Sequence, residues 1–518
     1  TMSAGKKRPL DADARGAEPA ANGDASDSDE HTDLEFEDPY EDEIEDESED
    51  EDEGADAYEQ RDVDAANVPA TDSASAQEKI VESHMEEDTN VTSSMDKTNG
   101  ESVAKEEVVK TEVFRPGIDV VQEGEKLEFE ASAYLLYHSL QMEWPCLSFD
   151  VLLDSLGQNR LKFPMTLFAV AGTQADRPNN NKLFVMKMSE LHRMSRGDGS
   201  DEDEEEEEDD DTVDDDPVLE HKTIRHVGGI NRLRSMRQRP QIVATWAETG
   251  QVHVWDVSAQ LAKLQDKPPP RPLAPHDPTQ GSTPIHTFKG HADEGYALDW
   301  SPITAGRLVT GDCKRHIYMW EPHTSGSSWT VAPHPFIGHT QSVEDLQWSP
   351  TEANVFASCS ADKSVRIWDT RNRKASALAI QAHDSDVNVI SWNRMVTYLM
   401  VSGADDGCFK IWDLRSFKSE APVAMFKYHT KAITSVEWSP HESSSLAVSG
   451  ADNQVTIWDL SLEEDDDTGS GGLDVPPQLL FVHSGQTDVK EVHWHPQLPG
   501  VLISTAVDGF NVFKPANI

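Results

Sequence analysis

Cysteine is scarce in this chain: four in 518 residues, and Cys146, Cys313, Cys359 and Cys408 are too widely separated to form a CxxC metal or redox pair. They read as small buried strand residues of a protein kept in a reducing compartment. No uninterrupted apolar run approaches the roughly 18 residues of a membrane span, and the start carries no apolar signal region, which argues against membrane and secretory readings. A phosphate-binding glycine loop, a nucleophile elbow and a His-x-x-x-His zinc spacing are missing too. No catalytic residue, cofactor or metal site is therefore expected, and the chain is read as a binding protein.

Positive charge is the other shortage. Lys and Arg number 44 against 96 Asp and Glu, a formal net charge of −52. Residues 1–60 hold 24 acidic against 4 basic residues, and residues 198–216 hold 15 acidic and no basic ones. Like charge this dense repels itself and buries little apolar surface, which predicts a disordered arm over 1–115 and a second acidic loop over 198–216. Lys267–Pro284 is a proline-rich excursion. A third acidic cluster, Glu463–Asp467, opens a loop over 461–478 that ends in Pro476-Pro477. A polyanion attracts basic proteins and repels phosphates, so a basic protein partner is expected and direct nucleic-acid binding is not. Ser26, Ser48 and Ser200 each have an acid three places on and suit acidophilic kinases; phosphate there strengthens the polyanion. An intact mass of the native protein checks this. Lys6-Lys7-Arg8-Pro9 is the one basic cluster of the arm, readable as a nuclear-import signal or as terminal basic residues without a role.

What the chain does have is a repeat. A tryptophan follows a histidine after 29 residues in His226/Trp255, His291/Trp320, His339/Trp368, His383/Trp412 and His429/Trp458, and His483/Phe513 is a worn further copy. Within four of the units a second tryptophan stands nine residues after the histidine: Trp300, Trp348, Trp392 and Trp438. A period of about 40–50 residues built from short β runs is the mark of a propeller of four-stranded blades. Counting Thr166–Met188 as a divergent first blade gives seven.

The units resemble the WD-repeat family over about residues 140–518, with Val254-Trp255-Asp256, Ile367-Trp368-Asp369, Ile411-Trp412-Asp413 and Ile457-Trp458-Asp459 closing strands and Gly290-His291 and Gly338-His339 opening units. The resemblance implies a buried hydrogen-bonded tetrad per blade: His339, Ser358, Asp362 and Trp368 in blade four, and His383, Ser402, Asp406 and Trp412 in blade five. Blade three carries Lys314, and blade two Thr249, where the aspartate belongs, and blade six is one residue short between Ser449 and Asp452. Those networks are expected to close differently or not at all.

Glu123–Met142 reads as a helix, with Phe129, Ala133, Leu136 and Leu140 on one stripe at the 3.6-residue period. Pro145 ends it and leads into an extended Cys146–Leu153, expected beside the last blade. The expected division is thus an arm over 1–115, a helical region over 116–143 and a propeller over 144–518.

Tyr134-Leu135-Leu136-Tyr137 through Met142-Glu143-Trp144-Pro145-Cys146-Leu147, with the segment Pro476–Gly485, is similar to the helix and loop of the retinoblastoma-associated histone-binding WD proteins. From arm to C-terminus the chain resembles their sister branch, the glutamate-rich WD-repeat proteins. That resemblance implies a nucleolar chaperone for a new basic ribosomal protein, the third of the large subunit, acting in the nucleus near pre-ribosomal particles. A histone chaperone is the alternative. The implied partner-binding residues are Leu136, Tyr137 and Leu140 with Asp465, Asp466, Asp467, Asp474, Pro476 and Pro477. A further alternative rests on Trp368-Asp369-Thr370-Arg371 and Trp412-Asp413-Leu414-Arg415. These match the Trp-Asp-x-Arg signature of substrate receptors of cullin-type ubiquitin ligases, or place a salt-bridging arginine after each strand.

Overall fold

The computed structural model describes residues 130–194, 216–265, 283–324, 328–463 and 476–518. Both long acidic tracts, apart from Asp216, and Asp465, Asp466, Asp467 and Asp474 lie outside the described residues.

Seven four-stranded antiparallel sheets form seven blades. Blade one runs from Cys146–Val151 through Met165–Thr173 and Lys182–Leu191 to Val218–Arg225. The next five follow the same in-to-out order, and blade four (Val343–Trp348, Val355–Ser360, Ser364–Asp369, Leu378–Gln381) is representative. Blade seven differs: Glu491–Trp494, Leu502–Ala506 and Gly509–Pro515 receive their outer strand from Tyr134–Leu140, far away in sequence.

The predicted helix is therefore replaced, from residue 134 onward, by a strand. Tyr137 pairs with Phe513 and Leu140 with Phe510 in an antiparallel register. Tyr134, Leu136 and Leu140 are buried while Leu135 and Tyr137 are half-buried, a two-residue alternation hidden among apolar residues that also fit a helical stripe. Pairing decided the outcome, since Gly509–Pro515 would otherwise be an open apolar edge. Cys146–Val151 is extended as expected but is the inner strand of blade one, so the propeller begins before residue 144 and is closed by the segment preceding Pro145. The turn entering Gly509–Pro515 needs a glycine: Gly509 has φ +121° and a Cβ there would collide with the Leu140 carbonyl. Among the described residues the α-helix is the short Ser258–Leu264.

The two tryptophan marks have separate jobs. The one 29 residues after the histidine is the buried end of the tetrad. The one nine residues after ends an inner strand and staples neighbouring blades. The Trp348 indole N–H donates to the Asp299 carbonyl (3.1 Å) and its backbone N–H to the Asp299 carboxylate (2.7 Å). Trp438 repeats both contacts on Ser391, and Trp494 repeats them on Glu437. Trp300 bonds the Arg234 carbonyl at 2.9 Å, whereas the Trp392 indole turns to Thr397 of its own blade.

The tetrads correct the sequence reading in both directions. Blade four is complete: His339 Nδ1 lies 2.9 Å from Asp362 and Nε2 2.6 Å from the Ser358 hydroxyl, to which the Trp368 indole N–H donates at 2.7 Å. Blade three is also complete, because Asp312 takes the aspartate's place two residues before Lys314. It reaches His291 at 3.1 Å, and Thr310 joins His291 to Trp320. Blade six substitutes Thr456, from its third strand, for Ser449, and keeps Asp452 3.0 Å from His429. Blade two replaces the carboxylate with the Gly228 carbonyl, 2.8 Å from His226 Nδ1. Blade seven bonds His483 to the Tyr134 hydroxyl at 2.8 Å and stacks it on Phe513, 4.0 Å between centroids. Blade five, which matches the motif in full, is the broken one: His383 bonds Ser402, but its Nδ1 has no partner and Asp406 is exposed.

Alanine at Asp312 or Asp362 is thus expected to cost about 1–3 kcal/mol by orphaning a buried histidine nitrogen. Alanine at Asp406 or Lys314 is expected to cost a few tenths, since neither serves a tetrad. Thermal melts of the four variants decide this.

Candidate functional site

Two regions concentrate polar chemistry. The first is the seam where blade seven borrows its outer strand. Tyr134 packs edge-on against Phe481 at 5.2 Å, and its hydroxyl bonds His483, so Tyr134–Leu140 and Leu479–Ser484 lie side by side. The structure thus brings together the two segments expected to form the partner groove. It does not leave all the expected residues available. Leu136 is fully buried and Leu140 nearly so, because strand geometry turns both into the core. Tyr137 stays half-buried, 5.3 Å from Tyr134; Pro476 is half-buried and Pro477 exposed at the base of the acidic loop.

The second region is the central channel, which the sequence reading missed. Glu491 is wholly buried and accepts from Arg232 (2.7 Å), Arg234 (2.7 Å) and the Phe149 backbone N–H (2.9 Å). His493, two residues on, sits 3.0 Å from Glu437. Blades one, two, six and seven are joined there through charge-assisted bonds. Burial works to raise the Glu491 carboxyl, but the Arg234 charge, with His493 and Arg232, holds it well below the ordinary range. Burial likewise works to lower His493, yet Glu437 and Glu491 push it up to about 10. Above the clasp is a cavity of about 240 Å³ lined by Asp150, Arg234, Asp299, Glu437 and Trp348. Burial pushes the Asp299 carboxyl up to about 7, its bond from the Trp348 N–H notwithstanding. The signal in the sequence was charge at alternate positions of otherwise apolar inner strands, Arg232-Leu233-Arg234 and Glu491-Val492-His493. A tetrad-centred reading passes over it.

The two Trp-Asp-x-Arg motifs emerge from adjacent blades at the channel end bearing the Trp-Ser-Pro turns. Arg371 folds back on Asp369 at 2.5 Å and Arg415 on Asp413 at 2.6 Å. Arg415 also lies over the Tyr398 ring, 3.6 Å from its centroid. Both guanidinium groups remain largely exposed while making the salt bridge that the repeat itself offers.

Comparison with known proteins agrees with this architecture. The family profile of the histone-binding protein RBBP4 and its counterpart in the CAF1 complex matches residues 124–192, and that of the "WD domain, G-beta repeat" matches 331–369, 376–413 and 420–459. Protein HEAT STRESS TOLERANT DWD 1 of Arabidopsis thaliana is 49% identical over 79% of this chain and 92% of its own length. Ribosome assembly protein rrb1 of Schizosaccharomyces pombe is 42% identical over 75% of this chain and 82% of its own. Glutamate-rich WD repeat-containing protein 1 of Dictyostelium discoideum is 44% identical over 78% of this chain and 85% of its own. Identity of this degree over most of each relative, on seven blades of the same repeat, makes the chain a member of the glutamate-rich WD-repeat protein family.

Proposed function

We propose that this protein is a non-catalytic escort in ribosome assembly. It binds a newly made basic protein of the large subunit, the third of that subunit, and delivers it in the nucleolus. The observation that carries the reading is where the charge lies: residues 1–60 and 198–216 together hold 39 acidic residues and 4 basic ones, outside the strands of the propeller. The name of the fission-yeast relative supports the ribosomal setting. A free ribosomal protein carries basic extensions suited to rRNA phosphates, and carboxylate tracts stand in for those phosphates until rRNA, with its higher charge density, displaces them.

The seam supplies the specific grip. A basic amphipathic segment sets its apolar side against Tyr137, Pro476 and Pro477, and its arginines against Asp465, Asp466, Asp467 and Asp474. Leu136 and Leu140 support this surface from beneath.

A core histone is the competing client, favoured by the histone-binding profile over 124–192. Capture from lysate on the full chain at two salt concentrations separates the readings by mass: the large-subunit protein is expected as the salt-resistant partner, and recovery of histones alone overturns the proposal. The acidic tracts should act at long range, through a field screened over about 8 Å at physiological ionic strength. Deleting 198–216 is expected to slow association and flatten its salt dependence with little change in dissociation. An unchanged association rate at low salt makes that tract a solubility device instead.

A further inference from the structure

Blade five breaks its tetrad in a way that brings three metal-binding side chains together. A ring nitrogen of His383, a carboxylate oxygen of Asp406 and the Cys408 thiol all lie within 4.8 Å of one another. His383 is 2% exposed, and its Nδ1 is buried without a hydrogen-bond partner. Its Nε2 is 2.8 Å from the Ser402 hydroxyl, which also receives the Trp412 indole N–H. With Nε2–H donating to Ser402, Nδ1 carries the free lone pair of the ring.

Blade four shows what the same positions do without a thiol. There Ser364 occupies the place of Cys408, and its hydroxyl lies 3.3 Å from His339 Nδ1 and 2.5 Å from Asp362. Asp362 in turn holds His339 at 2.9 Å, so the three groups close on each other. In blade five the hydroxyl has become sulfur and the trio has opened. Asp406 now accepts from the Cys408 backbone N–H at 3.0 Å, which keeps its carboxylate at the thiol's strand end. Asp384 and Asp406 add negative potential around the ring. The Lys410 ammonium is held at the Ala382 carbonyl, 2.8 Å away, and over the Trp412 ring.

We propose that His383, Asp406 and Cys408 form a binding site for a zinc-like divalent cation, with water as fourth ligand. One imidazole nitrogen, one thiolate and one carboxylate are the donors that a borderline-soft tetrahedral ion takes, at bond lengths of about 2.0–2.3 Å. Closing on the ion requires these side chains to move inward by about an ångström, which the exposed Asp406 can supply. The Ser402 hydroxyl, bonded to the far side of the ring, fixes its tautomer. The thiol, pushed up to about 11 by burial, gives its proton to solvent when sulfur bonds the metal, so one proton leaves for each ion bound. His383 and Cys408 are 25 residues apart in the chain, a spacing that no sequence motif for zinc would select.

Cobalt(II) added to the chelator-stripped full-length protein tests this. The expected result is a thiolate-to-cobalt charge-transfer band in the near ultraviolet with intense visible bands of four-coordinate cobalt. Both should saturate near one equivalent and be displaced by zinc. The acidic tracts bind cobalt through oxygen alone and give neither signal. Cys408→Ser, which copies the residue native to blade four, should fold normally and lose the charge-transfer band. Its affinity should fall by more than the roughly 100-fold that follows loss of a residue which only orients a ligand. Asp406→Asn should keep the band and bind more weakly, and Cys313→Ser should change nothing. Absence of a saturable charge-transfer band, or its survival in Cys408→Ser, overturns the proposal.

Discussion

Glu491→Ala is expected to destabilise the propeller by about 3–5 kcal/mol, the usual cost of breaking a buried ion pair by removing one partner. Two guanidinium groups and the Phe149 N–H converge on this carboxylate, which has no solvent exposure. Alanine leaves Arg232 and Arg234 facing each other across the gap between blades one, two and seven. Glu491→Gln keeps the volume and one acceptor but leaves the arginines unneutralised, so it should lie between alanine and the native protein. Denaturant melts give the values, and a loss under about 1 kcal/mol for alanine would show that the clasp does not hold the ring closed.

The clasp also sets a pH window. Glu491 has a folded pKa below its unfolded value, so its stabilisation is present above about 4.5 and is lost as pH falls through the lower, folded value. His493 is raised from 6.5 to about 10, so its stabilisation is complete below about 6.5 and is lost progressively as pH rises towards 10. Stability should accordingly decline on both sides of a maximum between about pH 5 and 6.5, and Glu437→Gln should flatten the alkaline limb.

The largest effect on binding is expected from Asp465→Lys, Asp466→Lys and Asp467→Lys made together: loss of client binding at physiological salt with a melting temperature close to native. The three acids stand in a loop rooted at Pro476 and Pro477, beside the seam where Tyr134 meets Phe481. A client arginine paired with carboxylates there meets repulsion after the reversal, which affects dissociation as well as association. Tyr137→Asp tests the apolar half of the surface, since Tyr137 is half-buried and can be approached from outside. Leu136→Asp would report on folding instead, because Leu136 has no exposure.

Much of the architecture was legible because buried polar groups constrain spacing. A histidine and a tryptophan that must meet one hydroxyl across a blade cannot drift apart, and the 29-residue interval records that contact in five blades. The tetrad aspartate was less legible. Asp312 shows that a carboxylate two residues earlier in the turn can serve the histidine, and blade five shows that a full motif can leave its Asp406 unengaged. Tyr134–Leu140 was misread because its leucines satisfy helical and strand periods alike, and only the vacant edge of blade seven chooses between them. The Glu491 clasp joins residues some 260 positions apart through a closed ring, which local patterns do not report.

Direct competition measures the central claim. The purified full-length protein, offered equimolar amounts of the third large-subunit ribosomal protein and core histones at physiological salt, should be recovered mainly with the ribosomal protein. The Asp465→Lys, Asp466→Lys, Asp467→Lys variant should then release it. Recovery mainly with histones, or a ribosomal-protein complex indifferent to the triple reversal, would contradict the account.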